Sequence, residues 1–322
     1  MPILLDRLPH PNAVRSQIRA IVTDVDGTLT RRGQFTAELL RSLDRLAAAG
    51  MPVWISTGRS AGWVSALVTY LPVAGAIAEN GGLVFLPPGS PLLHSPAPPP
   101  DSPTSDSPAS DSPASDSPTS DSPTSDSRPA DARPADSTPS PDRPGSSEAD
   151  PLLSGAGIPL SNIADLRQHR AALAATFAAL QAEFPHLRES DDNAFRQTDW
   201  TFDVAGLGAA ELARMGDRCA ADGWEFTYST VQCHIKPPHQ DKANGLCAAQ
   251  ARFFPEIPGD RLLTVGDSPN DAPMFDPARF PHSVGVANVL HYQGAIAHLP
   301  AYVTHQSESA GFAELVDWLL DP

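Results

Sequence analysis

The chain has 322 residues, 41% of them apolar, which is room for about two domains with cores of their own. Its formal charge of −16 argues against nucleic acid as a partner, because phosphate backbones are bound through an excess of Lys and Arg. No run approaches the roughly 18 apolar residues of a membrane span, and Cys219, Cys233 and Cys247 fit no zinc or redox spacing, so a reducing, cytoplasmic setting without membrane contact is expected.

Residues 1–16 read as a tail that lacks the cationic start and apolar middle of a secretory leader. The apolar run IRAIVT at 18–23 predicts a first buried strand that ends at Asp24. Leu39, Leu40, Leu43, Leu46 and Ala47 fall on one helical stripe, with Gly50 as the stop. PVWIST at 52–57 predicts a second strand, and 74–78 a third, weaker one. From 87 to 157 the composition changes. DSPTS-type pentads run from Asp101 to Ser125 and then decay, with almost no apolar side chains and with about half of the chain's net charge. Such a stretch cannot bury enough surface to offset the entropy of ordering, so a long disordered acidic Pro/Ser/Asp-rich insert is expected there.

Between 158 and 235 the style differs. Leu166, Leu173, Phe177, Leu180 and Phe184 share one face of a long helix, and Leu212, Met215 and Cys219 share a face of a second. The strand patterns here alternate. Trp200, Phe202 and Val204 face one way, while Asp199, Thr201 and Asp203 face the other; Trp224, Phe226 and Tyr228 alternate with Glu225, Thr227 and Ser229. Alternation marks a sheet with one packed and one wet face, hence a small antiparallel α+β domain. From 236 to 322 buried-strand patterns return at 261–267, 282–288 and 301–304, with a last helix near 312–320. Short apolar strands alternating with helices, at 17–86 and 236–322, predict an α/β core with a Rossmann-like parallel sheet, interrupted by the α+β module.

Four motifs carry chemistry. Asp24-Val25-Asp26-Gly27-Thr28 follows the first strand, and two carboxylates two apart can share a hard cation and divide the work of nucleophile and proton carrier. A calcium loop fails on register, since Gly27 and Phe35 stand where that loop needs other residues; an acidic turn closed by glycine is the plain alternative. Ser56-Thr57-Gly58-Arg59 offers a hydroxyl and backbone N–H groups to a phosphate, or simply a helix cap. Gly266-Asp267-Ser268-Pro269-Asn270-Asp271 places Asp267 and Asp271 where they could add ligand charge to a metal, or it is an Asp/Asn/Pro turn. Lys242 stands at a helix start, against the dipole, and needs a partner there. Three of the four lie at the carboxyl ends of predicted parallel strands, where open α/β sheets bind ligands. Asn80, in AENGGL, either reaches the substrate or forms a turn. The tryptophans read as packing residues, and no histidine spacing suits a metal.

In this order, DVDGT, STGR, a Lys and GDSPND resemble the haloacid dehalogenase superfamily of phosphohydrolases, over about 17–86 and 158–320. The module between the second motif and the Lys resembles the cap of the subclass that includes sucrose-phosphatase-like and mannosyl-3-phosphoglycerate-phosphatase-like enzymes. The resemblance implies Mg2+, an aspartyl-phosphate intermediate on Asp24, Asp26 as general acid/base, Thr57 as phosphate-binding hydroxyl and Lys242 as charge-neutralising lysine, with Lys236 its rival. It implies a metal site at Asp24, Asp26 (through its carbonyl), Asp267 and Asp271, the last as a supporting carboxylate. Thr57, Gly58, Asn270, Asp199, His234 and Lys236 are then expected to bind a small phosphorylated metabolite, a sugar phosphate or phosphoglycerate. A phosphomutase of the same fold, or an idle scaffold recruiting partners through the repeat, are the alternatives.

Overall fold

A computed structural model describes residues 2–8, 10–94, 157–161, 163–229 and 231–321. Its strands are β1 Ile3–Leu4, β2 Ala20–Thr23, β3 Val53–Ser56, β4 Gly75–Ala78, β5 Leu83–Phe85, β6 Ile158–Pro159, β7 Trp200–Asp203, β8 Glu225–Tyr228, β9 Gln232–Lys236, β10 Leu262–Gly266, β11 His282–Gly285 and β12 Tyr302–Val303. Its α-helices are α1 Pro11–Arg15, α2 Ala37–Ala48, α3 Ala61–Tyr70, α4 Leu166–Glu183, α5 Ala209–Ala221, α6 Lys242–Phe253 and α7 Glu308–Leu320.

Nine strands form one sheet in the order β1-β12-β11-β10-β2-β3-β4-β5-β6, parallel from β1 through β4. Every residue of β2, β3 and β10 is buried, as a sheet covered on both faces requires. Successive residues supply opposite layers. Ile21, Val53, Ile55 and Val265 pack with Leu39 and Leu43 of α2, Val64 of α3 and Phe312 of α7. Ala20, Val22, Trp54 and Leu262 pack with Leu246, Ala249 and Phe253 of α6. Full burial of one such Leu or Phe is worth about 1.5–3 kcal/mol. The α/β core expected from the alternating runs is thus present, with Asp24, Thr57 and Asp267 just past the carboxyl ends of β2, β3 and β10.

The chain reverses after β4, at Glu79 (φ 53°), Asn80 (φ 52°) and Gly81 (φ 102°), so that β5 returns antiparallel to β4. β6 then pairs antiparallel with β5, Leu83 opposite Pro159. The sequence reading puts Ile158 at the start of the cap and the insert in place of a cap hairpin turn. The ladder instead puts Ile158–Pro159 on the edge of the large sheet, because the reversed β5 leaves an edge there to be paired. Residues 95–156, which hold the repeat and its expected disorder, lie outside the described residues.

The second sheet has the order β7-β9-β8, all antiparallel. Phe202, Cys233 and Ile235 are buried against Leu173, Phe177 and Leu180 of α4 and Met215 and Cys219 of α5, while the opposite face carries Thr201, His234 and Thr227 in register. Among the described residues, no helix is long and apolar enough to cross a membrane.

Candidate active site

The floor of the site is built from strand ends. Asp24 continues β2, its N–H donating to the carbonyl of Val265 at 2.9 Å. The backbone then turns at Gly27, at φ 84°, where a Cβ would stand 2.4 Å from Asp267 Oδ2; only glycine lets the turn pass that carboxylate. Asp267 accepts from Thr28 Oγ1 at 3.1 Å and from Asn288 Nδ2 at 2.8 Å. Asp271 folds back under its own turn, accepting from the N–H of Asp267 (2.9 Å) and of Ser268 (3.0 Å).

Lys242 opens α6, whose N-terminus is capped by Asp241 accepting from the Asn244 N–H at 2.8 Å. α6 comes close because Gly245 meets Gly81 backbone to backbone; a Cβ at Gly245 would lie 2.3 Å from Gly81 Cα. The fully buried Lys242 therefore lies between two carboxylates, with Nζ donating to Asp24 Oδ1 at 2.5 Å and to Asp271 Oδ1 at 2.6 Å. Burial pulls its pKa down, but Asp24 and Asp271 outweigh burial and leave it above the ordinary lysine value. Lys236, its rival, pairs at 3.1 Å with Glu225 instead, a carboxylate that is half exposed.

Asp24, Asp267 and Asp271 offer carboxylate oxygens within 4.8 Å of one another. Burial, reinforced by Asp271 and Asp26 and opposed by Lys242, raises the Asp24 pKa to about 7. Burial, then Asp24 and Asp271, raises Asp267 well above the carboxylate range. Three buried carboxylates against one lysine leave negative charge uncompensated, and a divalent cation fits that deficit. Asp24 and Asp267 retain acceptor capacity for it. Asp271 has spent its oxygens on Lys242, two backbone N–H groups and Ser268 Oγ, so it supports the lysine and the loop.

The side chain of Asp26 stands apart from that cluster. Arg59 holds it with two parallel bonds, Nε to Oδ2 at 2.7 Å and Nη2 to Oδ1 at 2.6 Å, while the guanidinium lies 4.9 Å from the centre of the Trp63 ring. Thr57 donates its N–H to Ile77 and its Oγ1 accepts from the Arg59 N–H at 3.2 Å. Gly58 is walled in: a Cβ there would lie 2.9–3.1 Å from His234 and from the amide nitrogen of Asn80. Asn80 is both things its sequence allowed, a left-handed turn residue and a neighbour of the site, with Oδ1 accepting from Asn270 at 3.1 Å.

A narrow cleft separates this floor from the small sheet. Asp24, Asp26, Thr57, Gly58, Arg59 and Asn270 line it from below, and Ser229, Val231, Gln232 and His234 from above. Two residues expected to face a ligand do not line it. Lys236 is drawn to Glu225. Asp199 is fully buried and closed off by Arg196 (2.9 and 3.1 Å) and His234 (2.9 Å). Sequence reasoning gave no role to Arg59, Glu79, Arg196 or Asn288. Glu79 accepts from the N–H groups of Ala61, Gln197 and Thr198 and from Thr198 Oγ1, tying the chain's entry into the small sheet to the β4 turn. The one signal in the sequence was Glu79's place between a buried strand and Asn-Gly-Gly.

Residues 21–99 match the family of haloacid dehalogenase-like hydrolases, in agreement with the resemblance carried by the four motifs. A phosphoglycolate phosphatase of Methanothrix thermoacetophila is 34% identical over 84 residues, 26% of this chain and 35% of that relative, so the match spans about a third of the relative's length. A solved protein of Thermoplasma acidophilum, 17% identical, superimposes with a TM-score of 0.60 over 94% of this chain and 98% of its own. The sucrose-phosphatase of Synechocystis, solved with sucrose and phosphate, is 12% identical, with a TM-score of 0.53 over 94% and 98%. At these identities the two structures speak for a shared fold.

Proposed function

We propose that this chain is a Mg2+-dependent phosphatase of a small phosphate monoester, a sugar phosphate or phosphoglycerate-type compound, working in the cytoplasm through an aspartyl phosphate on Asp24. The observation that carries the reading is the buried Lys242 between Asp24 and Asp271, with Asp267 alongside. A lysine so placed opposes the burial that raises the Asp24 pKa and adds positive charge where phosphoryl oxygens would gather.

Asp24 and Asp267, with the carbonyl at Asp26, would hold the Mg2+ and Asp271 would support them. When bound, it screens carboxylate from phosphate and holds the reacting oxygens in line. Thr57 Oγ1, the Gly58 N–H, Asn270 and Lys242 would bind the phosphoryl oxygens from around the loop. An Asp24 oxygen attacks phosphorus, the bond to the ester oxygen breaks, and Asp26 gives its proton to the departing alkoxide. Asp26 then takes a proton from water, whose oxygen attacks phosphorus; the bond to Asp24 breaks and phosphate leaves. Held by Arg59 through both oxygens, Asp26 carries no proton; to act it must leave Arg59, take up a proton from solvent and turn toward Asp24, so Arg59 holds it in waiting. The polar roof, where His234 faces the cleft, favours a hydroxylated alcohol over a bare alkyl one.

The full chain should hydrolyse 4-nitrophenyl phosphate with Mg2+, and hydroxylamine should trap the acyl phosphate on Asp24. Undiminished turnover by Asp24→Asn would refute the nucleophile.

A further inference from the structure

The roof of the cleft contains a buried line of charge that ends on one nitrogen. Arg196 is buried. Its Nη1 donates to the Gly58 carbonyl at 2.9 Å and to Asp199, and its Nη2 to Asp192 at 2.9 Å and Gln232 Oε1 at 2.8 Å. Asp199 Oδ2 meets His234 Nδ1 at 2.9 Å. Burial works to raise the Asp199 pKa, but Arg196 and His234 outweigh it and hold the group ionised below the ordinary range. An ionised carboxylate has no hydrogen to give, so the shared proton sits on Nδ1. Burial, against the pull of Asp199, holds His234 below its ordinary pKa, which leaves the ring neutral and Nε2 bare.

That nitrogen has no hydrogen-bond partner among the described residues. It belongs to the edge of the ring that closes on Gly58, about 3.0 Å from where a Cβ would project. The other polar roof groups are committed. Gln232 accepts from Arg196 and donates to Asp192 at 3.3 Å, and Ser229 Oγ accepts from the N–H groups of Val231 (3.1 Å) and Gln232 (3.2 Å). The roof thus presents one uncommitted acceptor beside the Thr57-Gly58 loop.

We propose that His234 selects phosphate esters that carry a hydroxyl close to the ester oxygen, accepting that hydroxyl's hydrogen at Nε2, with Asp199 and Arg196 as positioning residues that fix the tautomer. The inference rests on the phosphatase reading above and narrows its substrate class. An ester without the hydroxyl would leave a buried nitrogen unpaired, and sites built to bond a substrate hydroxyl discriminate strongly against analogues that lack it.

The test compares kcat/KM for sn-glycerol 3-phosphate and n-propyl phosphate, using the full chain with Mg2+, with 4-nitrophenyl phosphate as a measure of the chemistry alone. The wild-type protein should prefer the glycerol ester by roughly tenfold or more. His234→Phe should bring the ratio to about one, chiefly through KM, whereas His234→Gln, which can turn an amide oxygen to the same place, should keep part of the preference. Asp199→Asn would donate to Nδ1 and move the proton to Nε2, so the preference should vanish with the ring still in place. A purely structural role for Asp199 would lower both substrates alike and preserve the ratio. An unchanged ratio in His234→Phe overturns the proposal, as does a wild-type ratio near one in a protein that turns over 4-nitrophenyl phosphate; in both cases the phosphatase reading stands. Failure on all three esters overturns that reading and this inference with it.

Discussion

The two sheets meet at the cleft with different chemistry. The carboxyl edge of the parallel sheet concentrates like charge, with Asp24, Asp267 and Asp271 around one lysine, and two of these carboxylates are pushed toward neutrality. The polar face of the small sheet is built differently. Its charges, Arg196 with Asp192 and Asp199, are bonded to one another, and they lead to a neutral imidazole. The floor is electrostatically unfinished and calls for a cation and a phosphate. The roof has its charges bonded and offers a hydrogen bond. A frustrated floor suits a step in which charge moves, whereas a satisfied roof suits recognition.

The sharpest break in that contrast is Asp24→Asn. Turnover of 4-nitrophenyl phosphate should fall by roughly 10³-fold or more, yet the metal-free protein should melt higher, since one of three repelling carboxylates is gone. A lower melting temperature would show that the floor is not strained by like charge. Next in size is Lys242→Met. It leaves Asp24 and Asp271 buried without their counter-ion and should cost about 3–5 kcal/mol in denaturant unfolding. Lys236→Met, at a pair whose carboxylate is half exposed, should cost about 1 kcal/mol or less. Equal losses would erase the distinction between the two lysines.

Glu79→Gln tests the joint between the regions. The amide keeps one acceptor oxygen where the carboxylate serves four donors, so a loss of about 1–3 kcal/mol is expected, with rising KM as the roof loosens. A further effect concerns pH. Asp24 gains proton affinity on folding, so the metal-free protein should lose stability as pH climbs from the unfolded carboxylate pKa of 3.8 to about 7, and then level off. Mg2+ needs the ionised form, so the rise in melting temperature on adding it should be larger at pH 8 than at pH 5. A larger rise at pH 5 would contradict the carboxylate site. The smallest change should come from replacing residues 95–150 by a short Gly-Ser linker between β5 and β6. Loop closure then costs roughly 1 kcal/mol less, and the turnover number should stay within about twofold; a tenfold loss in folded protein would give the segment a part in the site.

Much of this was legible in the chain itself. Sheet faces packed on both sides write unbroken apolar runs such as IRAIVT, and the alternation of Trp200, Thr201 and Phe202 separates an apolar from a polar face, although the polar face expected to be wet is covered too, with Thr201 and His234 buried against the core. The strand-end placement of Asp24, Thr57 and Asp267 followed from the same runs. What the tertiary structure alone decided is which charges meet. Lys242 and Lys236 are six positions apart and both buried, yet only Lys242 lies in the turn of α6 that Gly81 and Gly245 bring down onto Asp24, 218 residues away in sequence. Arg196 reaches Gly58 across 138 residues, and Glu79 reaches Thr198 across 119. Asp199 and His234 share the polar face that alternation predicts, but the fully buried Arg196 turned the first into an internal counter-ion and left the second facing the cleft. Periodicity is local because each residue reports its own burial; ion pairing depends on partners that only packing brings within about 3 Å.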